Sequence, residues 1–427
     1  MQFIILGKKE INHMVENNAQ GYLERKQRIT DAIALRVPDR VPVTASAGFF
    51  AARYAGFTCR DIMYDKEKAA MATLKFLEDF QPDLGDNPFM SSYMAAQLEA
   101  VGYNRLAWPG HGLSDTLPFQ FLEKELMPAE DYDDYLFDPT DYLIRKIWPR
   151  VFDHLKPLEK VPPLQNVVDY VGLNKLVVFA DPEVQVALAA MVDAGEKIQA
   201  SFGEAMAFGQ KVRQMGFYSF TGSGTLAPFD FISDLLRGTR GAMLDMIRVP
   251  DKLQAMIEKV YPIMLGSALA AKQGENRGVF IPLHKCLDRF MSQKQFKTFY
   301  WPSLKRMLDR LIAEGLIPVV FWEGDCTSRL EVIGDLAPGK AIYQFEQTNL
   351  FRAKDIIGDV VCLKGNVPLS LLVGGTPDDV KAYCKDLIDD VGKGGGFILS
   401  PSTSLDNAKP ENVKAMFDFA KSYGVYG

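Results

Sequence analysis

The sequence predicts an α/β chain of the (β/α)₈ TIM barrel class, and three observations carry that prediction. From residue 278 onward, short apolar runs alternate with helix-length segments across short connections. Several of those runs end abruptly in charged or polar residues, as at the C-terminal mouth of a parallel barrel. No Gly-x-Gly-x-x-Gly sits at a strand–helix turn, which makes an open nucleotide-binding sheet the weaker reading.

In chain order, residues 8–35 read as a polar helix that ends before Pro38, giving an N-terminal helical extension over 1–40. Residues 41–45 read as a first strand. Residues 46–56 read as a small-residue loop carrying Phe49, Phe50, Arg53 and Tyr54, whose aromatic rings could line an apolar pocket. A helix over 65–80 is followed by a second strand end at 83–87. An irregular or helical insertion lies near 88–215. Its irregular part, 88–175, is rich in Pro and Asp and would cover the barrel mouth or make subunit contacts, as in a homodimer. Asp181 is a good N-cap and Pro182 suits the first helical position, opening a long helix to about 214. A strand and turn over 217–224 precede helices over 229–246 and 251–273. Strands then fall at 278–283, 317–322, 340–345, 359–363 and 396–400, each followed by a helix: 292–314, 327–335, 349–357, 376–391 and 409–422. With the earlier strands near 41, 83 and 217, the count reaches the eight of a closed barrel. One domain over 1–427 accommodates all of these elements.

Composition narrows the function. A net charge of −6 without a basic cluster argues against a nucleic-acid surface. No run approaches the roughly 18 apolar residues of a membrane span, and the N-terminal apolar run is too short for a signal peptide. The 5 cysteines are scattered, with no Cys-x-x-Cys, which suits free thiols in a reducing cytoplasm. A small-molecule substrate is the expected partner.

Chemistry is expected at the strand ends. Gly278-Val-Phe-Ile-Pro-Leu runs into His284, Lys285, Cys286 and Asp288. Glu323 and Asp325 follow the run at 317–322, Glu346 follows the run at 340–345, and Asn366 follows Lys364. Carboxylates are rarely buried without a partner. Two carboxylates and an imidazole at one mouth suit a metal such as Zn²⁺ through N and O ligands, and suit acid–base work equally. His284 and Asp325 are the acid–base candidates from this set, and Lys285 and Asn366 the substrate-binding ones.

Over roughly residues 275–423 the chain resembles the uroporphyrinogen decarboxylase superfamily, which also holds corrinoid-dependent methyltransferases. The resemblance rests on Leu363-Lys-Gly365-Asn366-Val367-Pro, on Gly374-Gly-Thr376-Pro377-Asp-Asp-Val380, and on Gly396-Phe-Ile-Leu-Ser-Pro401 followed by Lys409-Pro-Glu-Asn412. Weaker echoes are Asp39-Arg40-Val-Pro42 and Ser223-Gly-Thr-Leu-Ala227. It implies a barrel with its site at the C-terminal mouth, and it sets Asp83 where the family's catalytic Asp stands. The departures bear on activity. The decarboxylases carry an Arg-Gln-Ala-Gly-Arg run in the first loop to grip carboxylates, whereas this loop offers Arg53 and two Phe. Thiol-methylating relatives hold zinc with thiols after the sixth and last strands. Here those places read Trp322-Glu323-Gly324 and Ser400-Pro-Ser402. Relatives acting on methoxy-type donors can hold zinc through carboxylates and histidine, and His284, Glu323 and Glu346 would supply that set. The leading expectation is thus the methyltransferase component of a demethylase system, with the corrinoid supplied by a partner protein. The alternatives are a carboxy-lyase using Arg53 and Asp83, and a barrel that binds a tetrapyrrole without catalysis.

Overall fold

The computed structural model describes residues 8–426. Among them six strands make one parallel sheet in chain order: β1 (Thr221–Gly224), β2 (Gly278–Leu283), β3 (Ile317–Trp322), β4 (Ile342–Phe345), β5 (Cys362–Val367) and β6 (Phe397–Pro401). Parallel neighbours need crossovers, and helices Pro250–Leu269, Trp301–Ala313, Leu350–Ile357 and Pro377–Asp386 lie within them. The fold is therefore α/β, as expected.

Strand alternation divides the sheet into two faces. On the outer face Val279, Ile281, Leu283, Val320, Trp322, Tyr343, Phe345 and Leu363 are fully buried in the main core. Burying an apolar side chain of this kind contributes roughly 1.5–3 kcal/mol, so this face holds the sheet to its helices. On the inner face Val319, Ile342, Cys362 and Ile398 form a separate cluster with Phe220 and with Ile29 and Ile33 of the helix Lys8–Ile33. That helix plugs the end where the strands begin. Beyond the plug the inner face is open: Phe280, Phe321, Gln344 and Lys364 all keep contact with solvent.

Two expected strands are not strands. Residues 41–45 form only one isolated bridge, parallel between Val43 and Leu399. No strand forms at 83–87. Backbone hydrogen bonds nevertheless link them in a row, two from 42–44 to Leu399 of β6, one from 83 to Val43 and one from 85 to Tyr218. Leu399 N donates to Pro42 O (2.8 Å), Thr44 N to Leu399 O (3.0 Å), Asp83 N to Val43 O (2.9 Å) and Gly85 N to Tyr218 O (2.8 Å). The strand expected from 217 begins at Thr221.

Asp83 belongs to this framework and not to a mouth. Its carboxylate is fully buried and accepts from Arg28 Nη1 (2.7 Å), from Arg40 Nη1 and Nη2 (2.8 Å each) and from Val43 N (2.7 Å). Arg28 is shared with Asp39. A carboxylate with its lone pairs taken by two guanidinium groups and a backbone N–H is a tie between the first helix and the edge segments. The catalytic expectation for Asp83 is corrected on that ground.

The first loop is a helix, Gly48–Tyr54, and it turns its aromatic residues away from any pocket. Phe50 is buried against Phe76, Phe80 and Tyr54, and Phe49 meets Phe119 edge-on. Tyr54 donates to Asp79 at 2.7 Å. Arg53 ties two other segments together, reaching Thr116 O (3.2 Å), Asp406 O (3.0 Å) and the Asn407 side chain. These four are packing and tethering residues, not the donor pocket expected of them.

In the insertion, short helices alternate with one small pairing of Leu106–Pro109 with Gly112–Leu113 and Gln120–Phe121. The helix Pro182–Gln214 starts as expected, with Asp181 accepting from Glu183 N at 2.8 Å. No helix among the described residues is long and apolar enough to cross a membrane.

Candidate active site

Register builds the site. β2 and β3 pair Leu283 with Trp322, and β3 and β4 pair Trp322 with Phe345. The next residue on each strand is His284, Glu323 or Glu346, and the ladder continues through them: Glu323 N donates to Leu283 O (3.3 Å) and Glu346 N to Trp322 O (3.1 Å). Alternation then sets all three on the inner face at the strands' C-terminal ends. Asn366 and Ser400, paired between β5 and β6, extend that row.

His284 is the best-held member. Its Nδ1 lies 2.5 Å from Asp234 Oδ2 and its Nε2 lies 3.5 Å from Glu323 Oε1. Lys285 Nζ reaches the other Asp234 oxygen at 3.1 Å. Below them Asp230, fully buried, accepts from His284 N (3.0 Å), Lys285 N (3.1 Å) and Tyr300 OH (2.5 Å). Asp230 therefore fixes the backbone of the turn while Asp234 fixes the imidazole.

Neither aspartate was singled out from the sequence, where both fall in an expected continuous helix over 229–246. The helix is broken instead: Pro228–Ile232 is α-helical, Ser233–Arg237 widens into a π turn, and the α-helix resumes at Gly238–Arg248. Such widened turns often occur at functional sites. The available signal was Phe229-Asp-Phe-Ile-Ser-Asp234, two carboxylates four residues apart in an apolar run.

The cluster sets the protonation states. Burial works against a charged His284, but the bond to Asp234 and the charges of Asp230 and Glu323 outweigh it, pushing its pKa up to about 9. These neighbours favour the imidazolium at neutral pH. Burial also opposes charge on Asp234, yet the His284 bond and the Lys285 charge hold its pKa below the ordinary carboxylate range. Glu323 is raised, first by burial and then, against the pull of His284, by Glu346. Among the described residues the Glu323 carboxylate accepts no hydrogen bond, so its lone pairs are available.

Glu346 is committed elsewhere, accepting from Gly324 N at 2.6 Å. It lines a neighbouring cavity of about 550 Å³, together with Asn366, Ser402, Thr403 and Tyr383. Asn366 is largely buried and donates to Thr348 O at 2.9 Å, so it braces this wall. Asp325 is exposed and caps the turn after it, accepting from Thr327 N (2.9 Å) and Thr327 Oγ1 (2.6 Å). A catalytic role for Asp325 is corrected by that position. Cys286 and Cys326 are buried with their sulfurs 3.6 Å apart. Burial, then the neighbouring thiol, pushes Cys286 well above its usual value, which keeps it a neutral thiol.

The expected metal set is brought together only as a pair. Among the described residues no three His, Cys, Asp or Glu side chains gather as a metal-holding group. His284 Nδ1 is taken by Asp234 and one Glu346 oxygen by Gly324. The arrangement of His284, Glu323 and Glu346 brings no three donors to one point among the described residues, although a histidine held at Nδ1 by a carboxylate still offers Nε2 to a metal. It fits acid–base chemistry: an oriented imidazolium with a carboxylate beside it.

Residues 207–423 match the family model described as "Uroporphyrinogen decarboxylase (URO-D)". The chain is 24% identical over 275 residues to uroporphyrinogen decarboxylase of Chlorobium luteolum, covering 62% of this chain and 72% of that one. It is 26% identical over 182 residues to uroporphyrinogen decarboxylase of Chlorobium phaeovibrioides, covering 41% of this chain and 50% of that one. Its fold superposes on a methyltransferase from Methanosarcina mazei with a TM-score of 0.59 at 18% identity, over 93% of this chain and 98% of the other. The parallel α/β sheet, the polar row at its strand ends and the family match agree, and the chain belongs to the uroporphyrinogen decarboxylase family.

Proposed function

We propose that this protein is a methyltransferase that moves a methyl group from a methoxy-type donor to a separate corrinoid protein, with His284 as general acid. One observation carries the reading: an imidazole held at Nδ1 by Asp234 presents Nε2 toward Glu323 at a solvent-reached strand end, among carboxylates that favour its protonated form. When the methyl C–O bond breaks, the methyl group leaves for an acceptor and the oxygen would otherwise depart as an oxide. The Nε2 proton of His284 neutralises it, a contribution of roughly 10²–10⁴ in rate for a well-placed acid. Glu323 steadies the imidazolium beforehand and helps it regain a proton afterwards.

The methyl acceptor in this reading is a corrinoid on a separate protein, which supplies a strong nucleophile. The fold likeness to a methyltransferase supports the reading at the level of scaffold alone. We also read the segments around 42–44 and 83–85 as the two remaining staves of an eight-stave barrel, since their backbone hydrogen bonds run from β6 toward Tyr218. The carboxy-lyase alternative loses its two assigned residues, because Asp83 and Arg53 are both engaged in structural ties.

The test is a reconstitution. The enzyme alone should leave a methoxylated aromatic compound unchanged, and adding a reduced corrinoid protein should release the phenol with a change in the corrinoid absorption spectrum. Carbon dioxide release from a carboxylated substrate without any corrinoid would overturn the proposal in favour of the lyase.

A further inference from the structure

The insertion is fastened to the one turn that orients His284. The helix carrying Asp230 and Asp234 breaks at Gly238, where φ is +68°. Helix ends leave carbonyls without partners on one side of a break and N–H groups without partners on the other. Residues 105–127 supply partners to both. Arg105 Nη2 donates to Asp234 O (3.0 Å), Leu126 N and Met127 N donate to Leu236 O (2.8 Å each), and the Glu123 carboxylate accepts from Thr239 N (2.6 Å). Arg237, the last residue before the break, reaches back to Met127 O and to the Glu125 carboxylate.

Arg105 is the tie closest to the chemistry. It is 6% exposed and pairs with no carboxylate among the described residues, which is rare for a buried arginine. Its partners are two carbonyls, Leu122 O at Nε (2.9 Å) and Asp234 O at Nη2. The backbone beside it is aligned by the pairing of Leu106 with Phe121, and Leu122 N donates to Arg105 O at 2.9 Å. A planar, rigid fork therefore runs from the insertion's strand pair to the backbone of the residue whose carboxylate holds His284 Nδ1.

We propose that Arg105 is a positioning residue of the acid site: it fixes the Asp234 backbone and, through the Asp234 carboxylate, the imidazole of His284. The insertion is then a clamp on that turn. The effect on turnover rests on the reading of His284 as general acid, whereas the effects on the turn and on the imidazole are measured without turnover.

The test compares the parent with Arg105→Met and Arg105→Lys as whole proteins. Amide hydrogen exchange over residues 229–240, followed by mass spectrometry, should quicken about tenfold or more in Arg105→Met, the loss expected for one charge-assisted bond. The ring resonances of His284, assigned by their absence from His284→Ala, should titrate at lower pH than in the parent, because a loosened Asp234 holds the imidazolium less. The groups facing His284 are Asp230 and Asp234 from the broken helix, Glu323 from the next strand, and Lys285 beside it on Asp234. All remain in the variant, and loss of the Arg105 charge by itself would move the titration up, so the sign decides. Arg105→Lys keeps the charge without the fork and should restore exchange and titration only in part. In the reconstituted assay Arg105→Met should lower kcat and leave KM unchanged. If Arg105→Met folds poorly, Arg105→Gln serves in its place. The proposal is overturned if exchange in the turn matches the parent, if the His284 titration stays or moves up, or if Arg105→Lys behaves as the parent. Failure of the reconstitution with these shifts present would sink the methyltransferase reading and leave the clamp standing.

Discussion

Two buried ion clusters in this protein look alike in composition and differ in what is left over. Around Asp83, one carboxylate faces two arginines and a backbone N–H, and every contact is complete. Around His284, an imidazolium and a lysine face two aspartates and a glutamate, yet Glu323 accepts nothing and His284 and Glu323 remain 32% and 37% exposed. A saturated cluster fixes geometry. An unsaturated one, open to solvent and holding shifted protonation states, can exchange a proton with something that arrives. The comparison teaches that counting partners separates tie from tool better than residue type does, since both clusters use an aspartate as the central anion.

The largest effect should follow from His284→Ala. Turnover in the reconstituted assay should fall by about 10²–10⁴, while the urea midpoint falls less than it does for Asp83→Asn. A large loss of stability with normal activity per folded molecule would erase the difference between the clusters.

Asp83→Asn tests the other side. Removing the charge leaves Arg28 and Arg40 against a neutral group in a buried position, which costs about 3–5 kcal/mol, measured by urea unfolding. The folded fraction should turn over at the parent rate. Phe50→Ala should behave in the same way, losing roughly 3–5 kcal/mol as a buried ring is removed from its aromatic cluster without changing KM.

The pH dependence sharpens the comparison. The His284 pKa is raised to about 9 from an ordinary value of 6.5, so the acid form is present throughout the neutral range. Activity should hold through neutrality and decline as pH rises through about 9. The stability contributed by its ion pairs has the same sign: fully present below the unfolded value and lost as pH rises through the folded one. Asp234→Asn removes the largest upward influence on His284 and should move the alkaline limb of the rate profile to lower pH.

What the sequence made legible follows from range. The strands from 278 onward were readable because each is an apolar run closed by a polar residue, and the same reading located His284, Glu323 and Glu346 on one row. The segments at 41–45 and 83–87 misled because one or two backbone hydrogen bonds on each side suffice to hold them, without a strand forming. The helix Gly48–Tyr54 was hidden behind a glycine and small residues that suit a loop equally well. Asp83 could not be judged because Arg28 and Arg40 reach it across 55 and 43 residues. Asp234 could not be placed because it depends on a π turn, which has no sequence period of its own.

The smallest effect should come from Asp325→Ala. Asp325 and Glu323 follow the same strand, and position in sequence gives no reason to prefer one. The side chain of Asp325 turns forward to cap Thr327 on the exposed rim, while Glu323 stays on the inner row beside His284. Losing a cap whose orphaned N–H can turn to water costs about 1 kcal/mol or less. Activity should be unchanged, because no bond links Asp325's carboxylate to His284, Asp234 or Lys285 among the described residues. Glu323→Gln, two positions away, should instead slow turnover and lower the alkaline limb, since it removes one of the charges that hold the imidazolium. Equal effects from the two substitutions would mean that proximity to the strand end matters and the partner count does not.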